Sequence, residues 1–206
     1  MIDKLFIIHY EPLIDRKKYL EPAITNLGFD YEFILMNSEK DIWIQNNIDN
    51  YYKFDPEVLN RKLNLNELSV SITHLEVYEK ILRENYETCL ILEDDAILNE
   101  NFLEKLNIVK DQISDFDFVF LSTCCNLRKG GDSDFKIYDS STSRCNNGYI
   151  VKSSCLNRVL ENSKKISLPI DWHLNYIKEI SNLKFGWMEP PIITQGSETI
   201  YKSNLR

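Results

Sequence analysis

The chain has no long apolar run. Across its 206 residues no stretch approaches the roughly 20 apolar residues of a membrane span. No transmembrane segment is expected, and any membrane contact would be peripheral. The opening Met1-Ile2-Asp3-Lys4 leads only into a short apolar segment. It lacks the basic region, long apolar region and small-residue cleavage site of a secretory leader. Positive charge is also scarce, with 24 Lys and Arg against 32 Asp and Glu, for a net charge of -8. That balance argues against a nucleic-acid binder, whose affinity rests on neutralising phosphates with Lys and Arg. It suits a protein that holds an anionic ligand through a cation. The five cysteines have no metal-site spacing, so no zinc site is expected. Their odd number points to reduced thiols and a cytosolic compartment. Cys124 and Cys125 are adjacent, a poor arrangement for a structural disulfide. The abundance of Asn, Ile, Lys and Tyr hints at an AT-rich genome, bacterial or large-viral, and so at the cytoplasm of a bacterium or of a virus's host. Glycine-rich nucleotide loops and the Gly-x-Ser-x-Gly elbow are missing, which removes the common nucleotide-loop and esterase readings. No repeat or low-complexity linker divides the chain, and a single domain over 1–206 is expected.

What is present centres on Cys89-Leu90-Ile91-Leu92-Glu93-Asp94-Asp95-Ala96-Ile97-Leu98. A short, wholly apolar stretch reads as a strand buried on both faces. It stops on three consecutive carboxylates before apolar residues resume. Desolvating a charge at the edge of a core needs a partner, and clustered oxygen ligands suit Mg²⁺ or Mn²⁺, which complete their shell with water and substrate phosphates. The plainer alternative is an acidic strand end that caps the following helix.

Alternating strands and helices surround this run. Strands are predicted at Leu5–Ile8, Tyr31–Met36, Thr88–Leu92, Phe116–Leu121, Gly148–Val151, Phe185–Met188 and Ile192–Ile193. Helices are predicted at Pro12–Leu27, closed by Gly28, and at Glu67–Glu84, Asn99–Ile113 with Asn99 as cap, Ser153–Glu161 and Ile170–Ile180. Asp41–Leu63 reads as short helices and loops, and Lys129–Ser143 as a loop. The alternation predicts an α/β fold with a mostly parallel central sheet flanked by helices. In such sheets ligands bind at the carboxyl ends of the strands, where both His9-Tyr10 and Glu93-Asp94-Asp95 fall.

Further candidates lie on the helices. Glu67, Ser71, His74 and Tyr78 recur at i, i+4, i+7 and i+11, a polar stripe able to face one cleft. A mid-helix histidine is commonly structural, but this helix runs directly into the strand that carries the acids. Asp171-Trp172-His173 stands at a helix start. Asp171 reads either as a cap or as a general base that takes a proton from an incoming hydroxyl. His173 reads as a third metal ligand or a solvated neighbour. Arg16 and Arg144 are candidate oxyanion partners through the guanidinium fork.

Taken in order, six segments resemble glycosyltransferase family 25, the lipopolysaccharide-biosynthesis and collagen-galactosyltransferase-like group. They are Lys4 to Tyr10 with Arg16, Asn66-Glu67-Leu68-Ser69 through Thr73-His74-Leu75, Leu90 to Asp95, Gly148-Tyr149-Ile150-Val151, Leu168-Pro169-Ile170-Asp171, and Glu189-Pro190-Pro191-Ile192 with Gln195 and Ser197. Leu-Ile-Leu-Glu-Asp-Asp is the most specific of them. The chain departs from the family pattern at Thr73, Asn66 and His9-Tyr10.

The resemblance implies a GT-A-like (Rossmann-like) fold and transfer of galactose or glucose from a UDP-sugar, with inversion. The acceptor would be a hydroxyl of a glycan, a lipid-linked glycan or a protein. Glu93 and Asp95 would hold the cation in the manner of a DxD motif, with His173 as a further ligand. Asp94 would contact ribose or sugar hydroxyls. His9, Tyr10 and Arg16 would line the nucleotide pocket, Glu67, Ser71 and His74 would organise the donor side, and Asp171 would be the base. Two other readings compete: a non-catalytic nucleotide-sugar-binding or assembly subunit that keeps the fold, and a metal-dependent phosphohydrolase or nuclease. The latter lacks the additional carboxylate and Lys positions those enzymes need.

Overall fold

The computed structural model describes residues 2–123 and 134–201. Ten strands and seven α-helices follow one another among these residues. The first half runs β1 (Lys4–Tyr10), α1 (Ile14–Thr25), β2 (Tyr31–Met36), α2 (Ser38–Asn46), α3 (Ile48–Tyr51), α4 (Leu65–Arg83), β3 (Thr88–Glu93), β4 (Ala96–Leu98) and α5 (Phe102–Val109). The second half runs β5 (Phe118–Phe120), β6 (Ser122–Thr123), β7 (Lys136–Ser140), β8 (Gly148–Lys152), α6 (Leu156–Glu161), α7 (Ile170–Ser181), β9 (Phe185–Glu189) and β10 (Ile193–Gln195).

Seven strands form the central sheet in the order β2-β1-β3-β8-β5-β9-β7. β2, β1, β3, β5 and β9 share one direction, while β8 and β7 run against them, so the sheet is mostly parallel. Strands covered on both faces are apolar throughout, because successive side chains point to opposite sides. Phe6, Ile8, Cys89 and Ile91 pack with α4, α6 and α7, whereas Leu5, Ile7, Leu90 and Leu92 pack with α1 and α5. A second sheet, β4-β10-β6, forms a corner beside the end of β3.

Several local expectations are revised. The stretch read as a loop over Lys129–Ser143 contains the edge strand β7, paired antiparallel with β9. Its signal is weak because only Ile137 of its five residues is buried. Helix α5 starts later than expected, after Asn101. Asn99 is instead committed to the corner: its N–H donates to Ile192 O at 3.0 Å and its side chain accepts from Thr194 Oγ1 at 3.0 Å. Gly28 ends the α1 region with φ +73°, a conformation that favours glycine. Cys145 is disulfide-bonded, so the thiols are not all reduced and that argument for a cytosolic compartment falls. Cys89 and Cys155 are free and buried; Cys124 and Cys125 lie outside the described residues. No helix among the described residues is long and apolar enough to cross a membrane.

Candidate active site

The carboxyl ends of β1, β2 and β3 open onto one cleft. It is lined by Tyr10 at the end of β1, Met36 at the end of β2, and Glu93, Asp94 and Asp95 at the end of β3. Arg16 of α1, Ser69 and Val70 of α4, Gln195 at the end of β10 and Ser197 just beyond it also line the cleft.

The three acids have different surroundings. Asp94 lies between β1 and α1 with both oxygens occupied by protein donors. Its Oδ1 accepts from Arg16 NH1 at 2.7 Å, and its Oδ2 accepts from the Tyr10 backbone N–H at 3.0 Å and lies 2.9 Å from His9 Nδ1. His9 is buried against Phe33, edge to face at 5.8 Å. His9 and Asp94 thus fasten β1 to β3 instead of presenting two free ligands, while Tyr10 and Arg16 also line the cleft.

Glu93 faces α4, with its Oε1 3.1 Å from His74 Nε2. Burial, reinforced by the neighbouring charges of Asp94 and Asp171, pushes its carboxyl up to about 8. His74 has no solvent exposure, and burial lowers its pKa to about 3, so the imidazole is neutral. Its Nδ1 lies 2.7 Å from Tyr149 Oη.

Asp95 sits at the start of the corner formed by β4 and β10. Its carbonyl accepts from Gly196 N–H at 2.7 Å, and its Oδ2 accepts a long bond, 3.3 Å, from Ser197 N–H. Its Oδ1 is buried without a partner. Burial first, then the charge of Glu93, raises this carboxyl to about 6. Two further residues that line the cleft carry orphaned buried atoms, Asp41 Oδ1 and Ser69 Oγ. Native proteins leave few such atoms unpaired, and each one calls for an explanation, a bound group among them.

On α4 the stripe predicted to face the site divides. Glu67 closes a capping box with Asn64 and forms a two-pronged ion pair with Arg61 at 2.6 and 2.7 Å. Ser71 Oγ donates to the Glu67 carbonyl at 2.7 Å. Local backbone and capping partners have absorbed both, as short polar side chains on helices often allow. Only His74 reaches the acids. The residues of α4 that line the cleft, Asn66, Ser69 and Val70, lie one or two positions away from that stripe.

Asp171, in the first turn of α7, is half-buried, and burial raises its pKa. Its Oδ1 accepts from Trp172 N–H at 3.0 Å, and its charge is felt at His74 and Glu93. It stands on their side of the sheet and does not line the cleft. His173 is a correction. Its Nε2 lies 3.2 Å from Ser163 Oγ in a buried setting between α6 and α7. Two residues from Asp171 on a helix, it faces a different direction. Among the described residues no group of three or more His, Cys, Asp and Glu side chains is arranged to hold a metal, so the ligand set Glu93, Asp95 and His173 is not assembled. Arg144 is buried, 2.8 Å from Glu189 and over the Trp187 ring, and is not a cleft residue.

None of the curated proteins compared matches the chain. One solved structure, a glycosyltransferase involved in the glycosylation of the major capsid of PBCV-1, superposes with a TM-score of 0.53 at 9% identity, covering 98% of this chain and 94% of that one. That likeness shows the fold. The family model described as glycosyltransferase family 25 (LPS biosynthesis protein) matches residues 2–174, which hold β1, the acidic triplet and Asp171. The chain belongs to glycosyltransferase family 25.

Proposed function

We propose that this glycosyltransferase moves galactose or glucose from a UDP-sugar to an acceptor hydroxyl with inversion, and that it works with a divalent cation, Mn²⁺ or Mg²⁺. The observation that supports this reading most is the set of orphaned polar atoms, Asp41 Oδ1, Ser69 Oγ and Asp95 Oδ1, on residues that line the same cleft as Arg16. Such a cleft suits a ligand rich in hydroxyls and phosphate oxygens.

The residues fit a cation in a limited sense. Asp95 has an unpaired buried oxygen, and Glu93 lines the same cleft. Mg²⁺-type ions are commonly held by one or two carboxylates, with water and substrate phosphates completing the shell. A pair of protein ligands shared with a diphosphate is therefore the fitting form. When bound, the cation would neutralise charge on the departing nucleotide.

The chain's own groups account for the remaining chemistry. Arg16, fixed by Asp94 and facing the cleft, brings positive charge to a phosphate. Ser69 and Asp41 offer hydrogen-bonding partners to the nucleoside or sugar. Asp171, whose burial raises its proton affinity and which stands outside the donor cleft on the side of His74 and Glu93, is the base in this reading, with the acceptor hydroxyl entering from that side. The acceptor is a hydroxyl of a glycan, a lipid-linked glycan or a protein. Calorimetry of UDP with and without Mn²⁺ tests the reading. The wild type should bind UDP more tightly with Mn²⁺, and Asp95→Ala should lose that increment along with transfer. A variant that keeps the Mn²⁺ increment would refute the assignment of Asp95.

A further inference from the structure

Behind Glu93 three buried side chains stand in line. Tyr78 Oη lies 2.7 Å from Tyr149 Oη, Tyr149 Oη lies 2.7 Å from His74 Nδ1, and His74 Nε2 lies 3.1 Å from Glu93 Oε1. Tyr78, His74 and Tyr149 have no solvent exposure, whereas the Glu93 side chain is 21% exposed and lines the cleft. The line therefore has one end in the core and one end in the site.

Counting protons fixes its direction once Glu93 is a carboxylate, the form in which it would face a cation. A neutral imidazole has one donor and one acceptor, each phenol has one donor, and an ionised carboxylate has none. Three contacts must be served by three protons. With Glu93 ionised, its proton must come from His74 Nε2. His74 Nδ1 then accepts and takes the Tyr149 proton, and Tyr149 Oη in turn accepts from Tyr78. The opposite tautomer would set a bare ring nitrogen against a carboxylate oxygen and leave a buried contact without a proton, a costly arrangement.

We propose that Tyr149 and Tyr78 are positioning residues for the Glu93 carboxylate, acting through His74: they hold the imidazole as its Nε2–H tautomer, so that a fixed donor aims Glu93 at the cation. The proposal deepens the function given above and rests on its reading of Glu93 as a cation-facing carboxylate. It parallels the way outer partners orient the residues that bind metals elsewhere, where losing such a partner typically lowers metal affinity by about 10- to 100-fold.

Two measurements test it separately from that function. Long-range ¹H–¹⁵N correlation of the metal-free wild type at alkaline pH, with Glu93 as its carboxylate, reads the His74 tautomer directly. The expected result is a protonated Nε2 and a pyridine-type Nδ1. A protonated Nδ1 or an imidazolium overturns the relay whether or not any metal binds. The second measurement is Mn²⁺ affinity by paramagnetic resonance in the presence of UDP. Tyr149→Phe should lower it about tenfold and shift the His74 nitrogens, and Tyr78→Phe should have a smaller effect in the same direction. His74→Gln, whose amide N–H can replace Nε2–H, should retain more affinity than His74→Leu. Unchanged His74 nitrogen shifts in Tyr149→Phe, or equal losses in the Gln and Leu variants, would overturn the positioning role. If the wild type binds no Mn²⁺ with UDP, the cation reading fails, while the tautomer result still decides the direction of the chain.

Discussion

The seam between β1 and β3 and the corner formed by β4 and β10 lie side by side at the end of one strand, yet they treat an aspartate in opposite ways. In the seam, Asp94 meets Arg16, His9 and the Tyr10 N–H at 2.7 to 3.0 Å. In the corner, Asp95 receives one bond of 3.3 Å and buries an oxygen with no partner. Folding alone explains the first arrangement, because a buried charge with full compensation ties two elements together. It does not explain the second, because an unpaired buried carboxylate oxygen costs stability. Adjacent residues of one sequence motif thus divide the work. Asp94 builds the wall, and Asp95 is left open to a ligand.

The largest expected effect breaks this contrast at its centre. Asp94→Ala removes the carboxylate that accepts from Arg16 and from the Tyr10 N–H. Breaking a buried pair by removing one partner costs about 3–5 kcal/mol. At roughly 2–4 °C per kcal/mol for a chain of this size, the melting temperature should fall by about 6 to 20 °C in a calorimetric scan. Asp95→Asn should leave the unfolding free energy within about 2 kcal/mol of wild type, or raise it, because it removes an unpaired charge. Equal destabilisation by the two substitutions would erase the distinction between seam and corner.

Gly196 offers a second test, now of the corner alone. A Cβ there would lie 2.6 Å from the Asp95 carbonyl oxygen and 2.6 Å from Tyr201 Cδ2. The backbone must move to admit it, and overpacking of this kind costs about 1–3 kcal/mol. Gly196→Ala should lower the urea midpoint and weaken Mn²⁺-dependent UDP binding, because the displaced turn also carries the Ser197 N–H that reaches Asp95.

The pH dependence sharpens the comparison further, because burial raises both Glu93 and Asp95. Glu93 is raised from 4.5 to about 8, so the folded state binds a proton that the unfolded state has released. Stability from this group is complete below about pH 4.5 and is lost as pH rises toward 8. Asp95 acts in the same sense, between 3.8 and about 6. His74 and His173, lowered from 6.5 to about 3 and about 4, act oppositely and cost stability as pH falls below 6.5. Between pH 6.5 and 8 Glu93 dominates among these four groups. Urea unfolding should therefore show a wild type that weakens across that interval, by at most about 1.4 kcal/mol per pH unit. Glu93→Gln should flatten the trend.

These contrasts also show what the sequence could reveal. The wholly apolar runs Leu5–Ile8 and Cys89–Leu92 announce doubly covered strands, because no other setting buries both faces of a strand. The acids at the end of the second run, on a strand in an α/β alternation, announce the site. The resemblance set Asp94 apart from Glu93 and Asp95, but its protein partners were not legible, because the donors that occupy it come from β1 and α1, about 80 residues away in the chain. The reversed strand β8 was hidden for a similar reason: direction in a sheet leaves no mark on an apolar run. Helix periodicity found a polar stripe but could not tell a side chain that looks outward from one closed on its own helix. Ser69 and Asp41 were missed because a single serine or aspartate on a helix carries no signal until its neighbours leave it unpartnered.

Glu67 carries the smallest prediction and the sharpest separation of the two kinds of polar residue. It shares the predicted stripe with His74, but its carboxylate closes the capping box on Asn64 N–H at 2.9 Å and pairs with Arg61. A lost cap costs about 1 kcal/mol, and the ion pair adds little, since Arg61 is half exposed. Glu67→Ala should therefore lower the melting temperature by about 2–4 °C and leave the Mn²⁺ increment in UDP binding unchanged. His74→Leu should do the reverse in kind, weakening the increment far more than its stability cost would suggest. If Glu67→Ala instead removed UDP binding while the helix stayed folded by circular dichroism, its carboxylate would belong to the site, and the division of the α4 stripe between a capping Glu67 and a site-facing His74 would be wrong.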